Sequence, residues 1–404
     1  MRQPVILCLA SYFKGARLMR AAKAAGAHVI LITLEKLENE PWPRESIDEV
    51  FLMPDIHKQP DITNAVAYLM RDRKIDRIVA MDEYDTVTAA RLREFLRIPG
   101  LGETTGYHFR DKLAMRVEAR DAGIPVPPFV AVLNYDSIRD FMASVPGPWL
   151  LKPRSEASAM GIKRIDHPDQ LWPILEELGD KGSGYLMEAF VAGDVFHVDA
   201  ITSKGKVQFA AASKYGRPPL EVYQGGGVFV TQSVPSNSKD GKALMKANRR
   251  LIKDFGMIRG ATHAEFIRGA EDGVFYFLEV AARVGGAHID LLVEHATGIN
   301  LWEEWARVEL ADIAGTDYAV TAKKNQTAGL LVCLSKDARP DMSGYDAPEI
   351  AWRMDKKQHA GLILASESTK RLETLLAEYL QRFGEDFLAV APPLESEAQM
   401  QENE

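Results

Sequence analysis

The run His263-Ala264-Glu265-Phe266-Ile267 is followed across Asp272-Gly273 by Phe275-Tyr276-Phe277-Leu278-Glu279-Val280, and then by Ala281-Ala282-Arg283-Val284-Gly285-Gly286. Both apolar runs favour strands, and Asp-Gly between them is a hairpin turn signal. Antiparallel pairing would bring Glu265 and Glu279 together on one face. Like charges at that range repel unless a cation sits between them. Carboxylate oxygens completed by substrate phosphates are the usual ligands of magnesium. The plainer reading is a hairpin whose glutamates simply face solvent. Arg283, just beyond, carries a rigid donor fork suited to phosphate or carboxylate.

Upstream of this hairpin, Arg110 to Ala122 has a helical pattern closed by Gly123 and the proline-rich 124–128. Short strand-like runs follow at 149–152, 185–188, 196–201 and 207–211, consistent with an α+β unit ending near 310. Lys152 ends one of these strands and precedes a small-residue loop, Ser155 to Gly161, where backbone N–H groups and one ammonium could close over phosphates. Lys112 opens the helix and Lys214 follows another strand. Each lysine alone reads first as a solvated surface residue, and only their joint placement favours a phosphate site.

The first part of the chain has a different pattern. Val5 to Ala10 is an uninterrupted apolar run, followed by an alanine-rich helix over 16–25, a strand over 28–33, a helix over 62–73 and a strand over 77–81. This alternation predicts a parallel sheet in a doubly wound domain. Asp82, Glu83 and Asp85 follow the last strand, where such sheets open their ligand crevice. The turn after the first strand lacks G-x-G-x-x-G, which argues against a dinucleotide-binding dehydrogenase. After 310 the sequence predicts a strand pair (329–334, 361–365) and an amphipathic helix over 370–383.

The chain has 404 residues, 49 of them basic and 57 acidic, for a net charge of −8. That length suggests two or three domains, and the charge balance disfavours a nucleic-acid partner. Two distant cysteines, Cys8 and Cys333, make neither a disulfide framework nor a cysteine zinc site. No stretch approaches the ~18 apolar residues of a membrane span. A cytoplasmic protein with no membrane partner is expected.

Taken in order from Lys112 to about Asn300, nearly half of the chain, these pieces resemble the ATP-grasp superfamily. They are Arg110-Asp111-Lys112 with Gly123-Ile124-Pro125-Val126-Pro127, Leu151-Lys152-Pro153 with the loop to Gly161, Met187 to Gly193, His263 to Phe266, and Leu278 to Gly286. No piece is specific alone, but five in the right order and spacing are. The resemblance implies a mixed α/β and α+β chain. Its ATP-grasp fold would have a Rossmann-like parallel-sheet domain over 1–108 and an ATP-grasp domain over 109–310, with an ATP lid roughly at 109–190. An α+β subdomain over 311–394 and a disordered tail over 395–404 would complete it.

The resemblance also implies roles. Lys112 and Lys152 would hold the ATP phosphates, with Lys214 as a third lysine and Ser158 and Gly161 in the loop over them. Glu188, Phe190 and Val191 would hold adenine, Glu188 accepting from its exocyclic amine, and Asp194 the ribose. Glu265 and Glu279 would bind one or two Mg²⁺ ions, replaceable by Mn²⁺, and Arg283 would face the transferred phosphate. On the substrate side stand His288, Gly285, Gly286, His263 and Arg217. The two histidines read equally as carboxylate ligands or structural residues, and Arg217 as a solvated surface residue. The chain departs from the family pattern at Ala281, where Asn is common, in its Ser- and Ala-rich phosphate loop, and at Val195, where the ribose acid usually falls.

The implied reaction activates a small-molecule carboxylate as an acyl phosphate and joins it to an amine, releasing ADP and phosphate. An amino acid or peptide-like substrate is favoured. The phosphate loop is less glycine-rich than that of biotin carboxylases. A carboxylate–thiol ligase, a phosphotransferase, or a nucleotide-binding regulator that has lost turnover are the alternatives, the last favoured by Ala281. Many relatives are dimers, so a homodimer is the assembly to test.

Overall fold

Val5–Ala10 (β1) carries only apolar side chains, and all of them are buried. A strand with no polar face needs cover on both sides, which a parallel sheet flanked by helices supplies. In the computed structural model, which describes residues 2–320 and 324–391, β1 lies inside such a sheet. Its order is β3-β2-β1-β4, with β2 at His28–Leu34, β3 at Glu49–Met53 and β4 at Arg77–Ala80, all parallel. Helices Ala16–Ala24, Asp61–Leu69 and Thr86–Leu96 link and cover these strands. The second helix stops four residues short of the predicted end at Arg73. β3 was missed although Val50 to Met53 is a short apolar run; it is an edge strand, and all five of its residues are only half-buried.

A second, antiparallel sheet of order β5-β8-β6-β7 is built from β5 (Phe129–Ala131), β6 (Trp149–Pro153), β7 (Lys163–Ile165) and β8 (Tyr185–Ala189). The third sheet has eight strands in the order β13-β12-β9-β10-β11-β14-β16-β15. They are β9 (Gly193–Ser203), β10 (Lys206–Tyr215), β11 (Phe229–Val234), β12 (Gly260–Gly269), β13 (Phe275–Ala281), β14 (Thr327–Leu334), β15 (Ile350–Arg353) and β16 (His359–Ser366). β14 pairs with β11, so the strands beyond residue 310 extend this same sheet. The helix Thr369–Asp386 lays Leu372, Leu375, Leu376, Tyr379 and Phe383 over it. A Cβ at Gly329 would stand 2.5 Å from Leu376, so the helix needs glycine there. We propose divisions near 108 and 310, with β14, β15 and β16 completing the large sheet. The tail expected at 395–404 lies outside the described residues.

Among the described residues no helix is long and apolar enough to cross a membrane. The segment between β10 and β11 contains the helix Pro219–Gly225. Pro219 costs nothing at its first turn, because that N–H has no helical partner anyway.

The parallel sheet is tied to the large one by helix Leu301–Ala314. Trp302, Trp305 and Ala306 share one apolar core with β1, β2 and β4. Beside them, Glu309 Oε2 accepts from Arg77 Nε of β4 at 3.1 Å and from Arg259 Nε at 2.8 Å, and Asp312 pairs with both guanidinium groups. Arg77, Arg259 and Glu309 side chains are less than a tenth exposed, so deleting one partner strands buried charge. Glu309→Ala is expected to cost about 3 kcal/mol in urea unfolding. A loss below about 1 kcal/mol would show that this cluster does not hold the two sheets together.

Candidate active site

The hairpin forms as its sequence suggests. β12 and β13 pair with Glu265 directly opposite Glu279, and a bulge follows between Glu265 and Phe266. Gly273 takes φ +70°, and Val274 N–H donates to Asp272 Oδ1 at 3.0 Å, which fixes the turn. Residues directly opposite on adjacent strands put their side chains on one face.

Each carboxylate has its own cationic or donor neighbour. Lys112 Nζ lies 3.1 Å from Glu279 Oε2. Lys112 opens the helix Lys112–Asp121, whose cap Asp111 accepts from the N–H groups of Leu113 and Ala114 and is gripped by Arg154. Lys112 N–H donates to Arg154 O at 2.8 Å, so the start of the helix is pinned to the end of β6. Tyr215 donates to Glu265 Oε1 at 2.6 Å, and His263 Nε2 lies 3.4 Å from the same oxygen. Burial would raise the Glu265 carboxyl, but the hydrogen bonds and charge of His263 outweigh it and hold it below the ordinary range. Burial and the neighbouring Glu265 push the Tyr215 hydroxyl up, so it stays a donor.

Behind Glu265 runs a chain of buried polar groups. His263 Nδ1 is 2.8 Å from Asp199 Oδ1, Asp199 Oδ2 is 2.7 Å from His197 Nδ1, and His197 Nε2 is 2.8 Å from Thr231 Oγ1. Burial alone would lower the His263 imidazolium, but the Asp199 charge beside it pushes it up to about 10. His197, Asp199 and His263 are grouped as metal ligands could be, yet their atoms are bonded to one another, which describes a relay rather than a cation site. A Cβ on Gly285 would come within 2.8 Å of Asp199 Oδ1 and 3.0 Å of His263 Nδ1, so glycine lets the Arg283 loop close over this chain.

Arg283 itself forms an ion pair with Glu83, from the loop after β4, and donates from Nη1 to Val284 O at 3.0 Å. Arg110 approaches the other oxygen of Glu83 at 3.7 Å. The acid that the sequence placed in the sheet crevice thus meets the arginine of the hairpin. Burial would raise Glu83, but the charges of Arg283 and Arg110 hold it down at about 2.

On the far side of the site, the buried Glu188 carboxylate is held by Lys152 and, at 2.8 Å, by Arg116 Nε. Burial is more than offset by these two cations, and Glu188 lies below the ordinary carboxylate range. Its carboxylate, on the wall of the cavity, therefore faces two cations. Phe190 N–H, also expected near adenine, donates to Pro148 O at 2.9 Å. Arg116 was missed in the sequence. The available signal was its place one helical turn after Lys112, on the same helix face.

A cavity of about 380 Å³ brings together Glu83, Lys112, Lys152, Glu188, Glu265, Glu279 and Arg283, with His263, Ser158 and Gly286 also on its wall. Leu150, Met160, Val191 and Leu278 give it an apolar stretch. Ser158 and Ala159 take φ +55° and +61°, and Gly161 +66°. Two non-glycine residues of the Ser- and Ala-rich loop thus adopt the left-handed conformation, a strain typical of ligand-binding turns.

Other expected residues stand apart from the cavity wall. Lys214 Nζ is 3.0 Å from Asp194, which also accepts from Arg268 at 2.9 Å, so the two expected ATP contacts pair with each other. Arg217 is half exposed and 3.7 Å from Glu221. His288 caps helix Ile289–Thr297 at φ +64°, with its ring 4.9 Å from Trp352, and burial lowers its imidazolium.

Residues 19–100 match the ATP-grasp N-terminal domain family. Over 264 residues the chain is 26% identical to the L-arginine-specific L-amino acid ligase of Bacillus subtilis, a match covering 63% of each protein. The L-amino acid ligase of Bacillus licheniformis superposes with a TM-score of 0.73 at 17% identity, over 96% of this chain and 99% of that one. N5-carboxyaminoimidazole synthetase from Staphylococcus aureus, solved with ADP, gives 0.71 at 16% identity, over 94% and 98%. Residues 19–100 thus match the N-terminal domain of that family, and the chain shares the fold of these two enzymes along nearly its whole length.

Proposed function

We propose that this protein is an ATP- and Mg²⁺-dependent carboxylate–amine ligase acting on amino acids or peptide-like molecules. The observation that carries this reading is the facing pair Glu265 and Glu279, set in one cavity with Lys112, Lys152 and Arg283. Two carboxylates locked opposite each other suit a hard dication, and ammonium and guanidinium groups suit the phosphates and the acid. Bound there, Mg²⁺ would neutralise phosphate charge and align the terminal phosphate.

Arg283 holds the substrate carboxylate in line with the terminal phosphate. Lys112 and Lys152 offset the charge that develops as a carboxylate oxygen bonds to that phosphorus and the bond to ADP breaks. The amine then attacks the acyl carbon, and phosphate departs with the shared oxygen. Water exclusion matters here, because an acyl phosphate hydrolyses. The helix Pro219–Gly225 lends Leu220 and Tyr223 to the cavity wall and suits that task.

The likeness to L-amino acid ligases supports amino acids as substrates. The lysines at 112 and 152 are part of the reading, as are small-molecule partners and a cytoplasmic, homodimeric state. Lys214 and Asp194 would reach the nucleotide only by parting from each other. An amine-independent release of ADP would instead favour a phosphotransferase.

ATP turnover with pooled amino acids, read by mass spectrometry, is expected to yield ADP, phosphate and a condensed product. Glu279→Gln and Arg283→Ala are each expected to lower kcat by at least about 100-fold. Unchanged turnover in either variant would remove the cavity from the reaction. Asp199→Asn cannot accept from both histidines, so one imidazole turns and Glu265 loses its support. A roughly tenfold fall in metal affinity or kcat is expected, as for other supports of metal ligands. A normal magnesium dependence would show that the relay is only structural.

A further inference from the structure

The Glu83–Arg283 pair joins two parts of the chain 200 residues apart, at the wall of the cavity. Arg283 lies beside Gly286, with Nη1 4.0 Å from where a Cβ would stand, so the guanidinium is reached from an open, glycine-lined side. The corner holds two guanidinium groups and one carboxylate. Arg283 Nε and Arg110 Nη1 are buried without a hydrogen-bond partner among the described residues. Unmet donors in a buried site call for an anion. A substrate carboxylate arriving on Arg283 meets that need.

It also competes with Glu83 for the same fork. Glu83 is only 15% exposed, and losing Arg283 would leave it with Arg110 alone at 3.7 Å. A buried carboxylate stripped of its cation is costly, and the cost falls on any substrate that brings only a negative charge. An acid that carries an ammonium one carbon from its carboxylate avoids this. Its carboxylate takes Arg283 while its ammonium takes Glu83, and both ions stay paired.

Resting on the ligase reading above, we propose that Glu83 binds the α-ammonium of the acid that is activated, and so restricts that acid to α-amino acids. Glu83 acts as a fixed anion and not as a base. Held down at about 2, its carboxyl cannot take the proton from the attacking amine. The group that the sequence left as one of three acids in a crevice thereby becomes the specificity determinant. Discrimination against des-amino acids follows from the pair exchange itself. A site built for a polar group rejects the analogue that lacks it, because its own group is left unpaired.

The test compares each L-amino acid that the wild-type enzyme accepts with its des-amino acid: propanoate for alanine, 4-methylpentanoate for leucine, 5-guanidinopentanoate for arginine. Phosphate release is measured with ATP, Mg²⁺ and the same excess of one amine acceptor that has no free carboxylate, an amino acid amide, for wild type and for E83Q. Wild type should prefer the amino acid by on the order of 100-fold in kcat/KM, and E83Q should erase most of that preference by losing activity on the amino acid alone. Because Arg283 serves both acids, an equal fall for both would overturn the proposal and reduce Glu83 to a prop for Arg283. Equal use of both acids by the wild type would overturn it as well, while leaving the ligase reading intact. Turnover of no acid at all would overturn the ligase reading and this assignment with it. Should E83Q not fold, E83D keeps the charge but withdraws it, and a preference lowered about tenfold is then the expected result.

Discussion

Two carboxylates facing each other across neighbouring strands is an arrangement a protein must support. Directly opposed side chains start from Cβ atoms roughly 5 Å apart. At an effective dielectric near 20 that separation costs about 3 kcal/mol for two like charges. The groups around Glu265 and Glu279 answer to this cost. Lys112 stands on one carboxylate, while Tyr215 and a cationic His263 stand on the other. Behind His263, Asp199 supplies the counter-charge, and Gly285 leaves the room in which that pair can sit. A repulsion that could unfold a hairpin is thus offset by its neighbours, and in the proposed ligase the same pair would seat a cation.

The same logic extends across the cavity. Glu188, which could not be buried alone, is held between Arg116 and Lys152. Glu83 is held between Arg283 and Arg110. Each of these two acids carries a pair of cations, so the cavity can admit an anion of high charge by loosening pairs rather than by creating new charge. The elements that meet here belong to all three sheets. The parallel sheet brings Glu83, the small sheet Lys152 and Glu188, and the large sheet Glu265 and Glu279. The cluster of Arg77, Arg259, Glu309 and Asp312 keeps the first and last of these in fixed relation.

Much of this was legible in the sequence, because it rests on local signals. The apolar runs at 5–10 and 28–33 announce buried parallel strands, and Asp272-Gly273 announces the hairpin that pairs Glu265 with Glu279. What stayed hidden depends on contacts between distant segments. Nothing near Glu83 in the chain says that its partner is Arg283, and nothing near Asp199 says that two histidines converge on it. β3 was missed although Val50 to Met53 is apolar, because a four-residue run beside acids is too short to mark a strand by itself. The partner that burial demands for Glu188, Arg116, came from a helix that sequence spacing alone did not link to it.

The central claim is that the substrate carboxylate is joined to phosphate before it is joined to the amine. Labelling the acid's carboxylate with oxygen-18 tests this directly, since the oxygen that attacks phosphorus leaves with the phosphate. The account predicts one labelled oxygen in the inorganic phosphate released per condensed product. Phosphate free of label, formed alongside product, would contradict it.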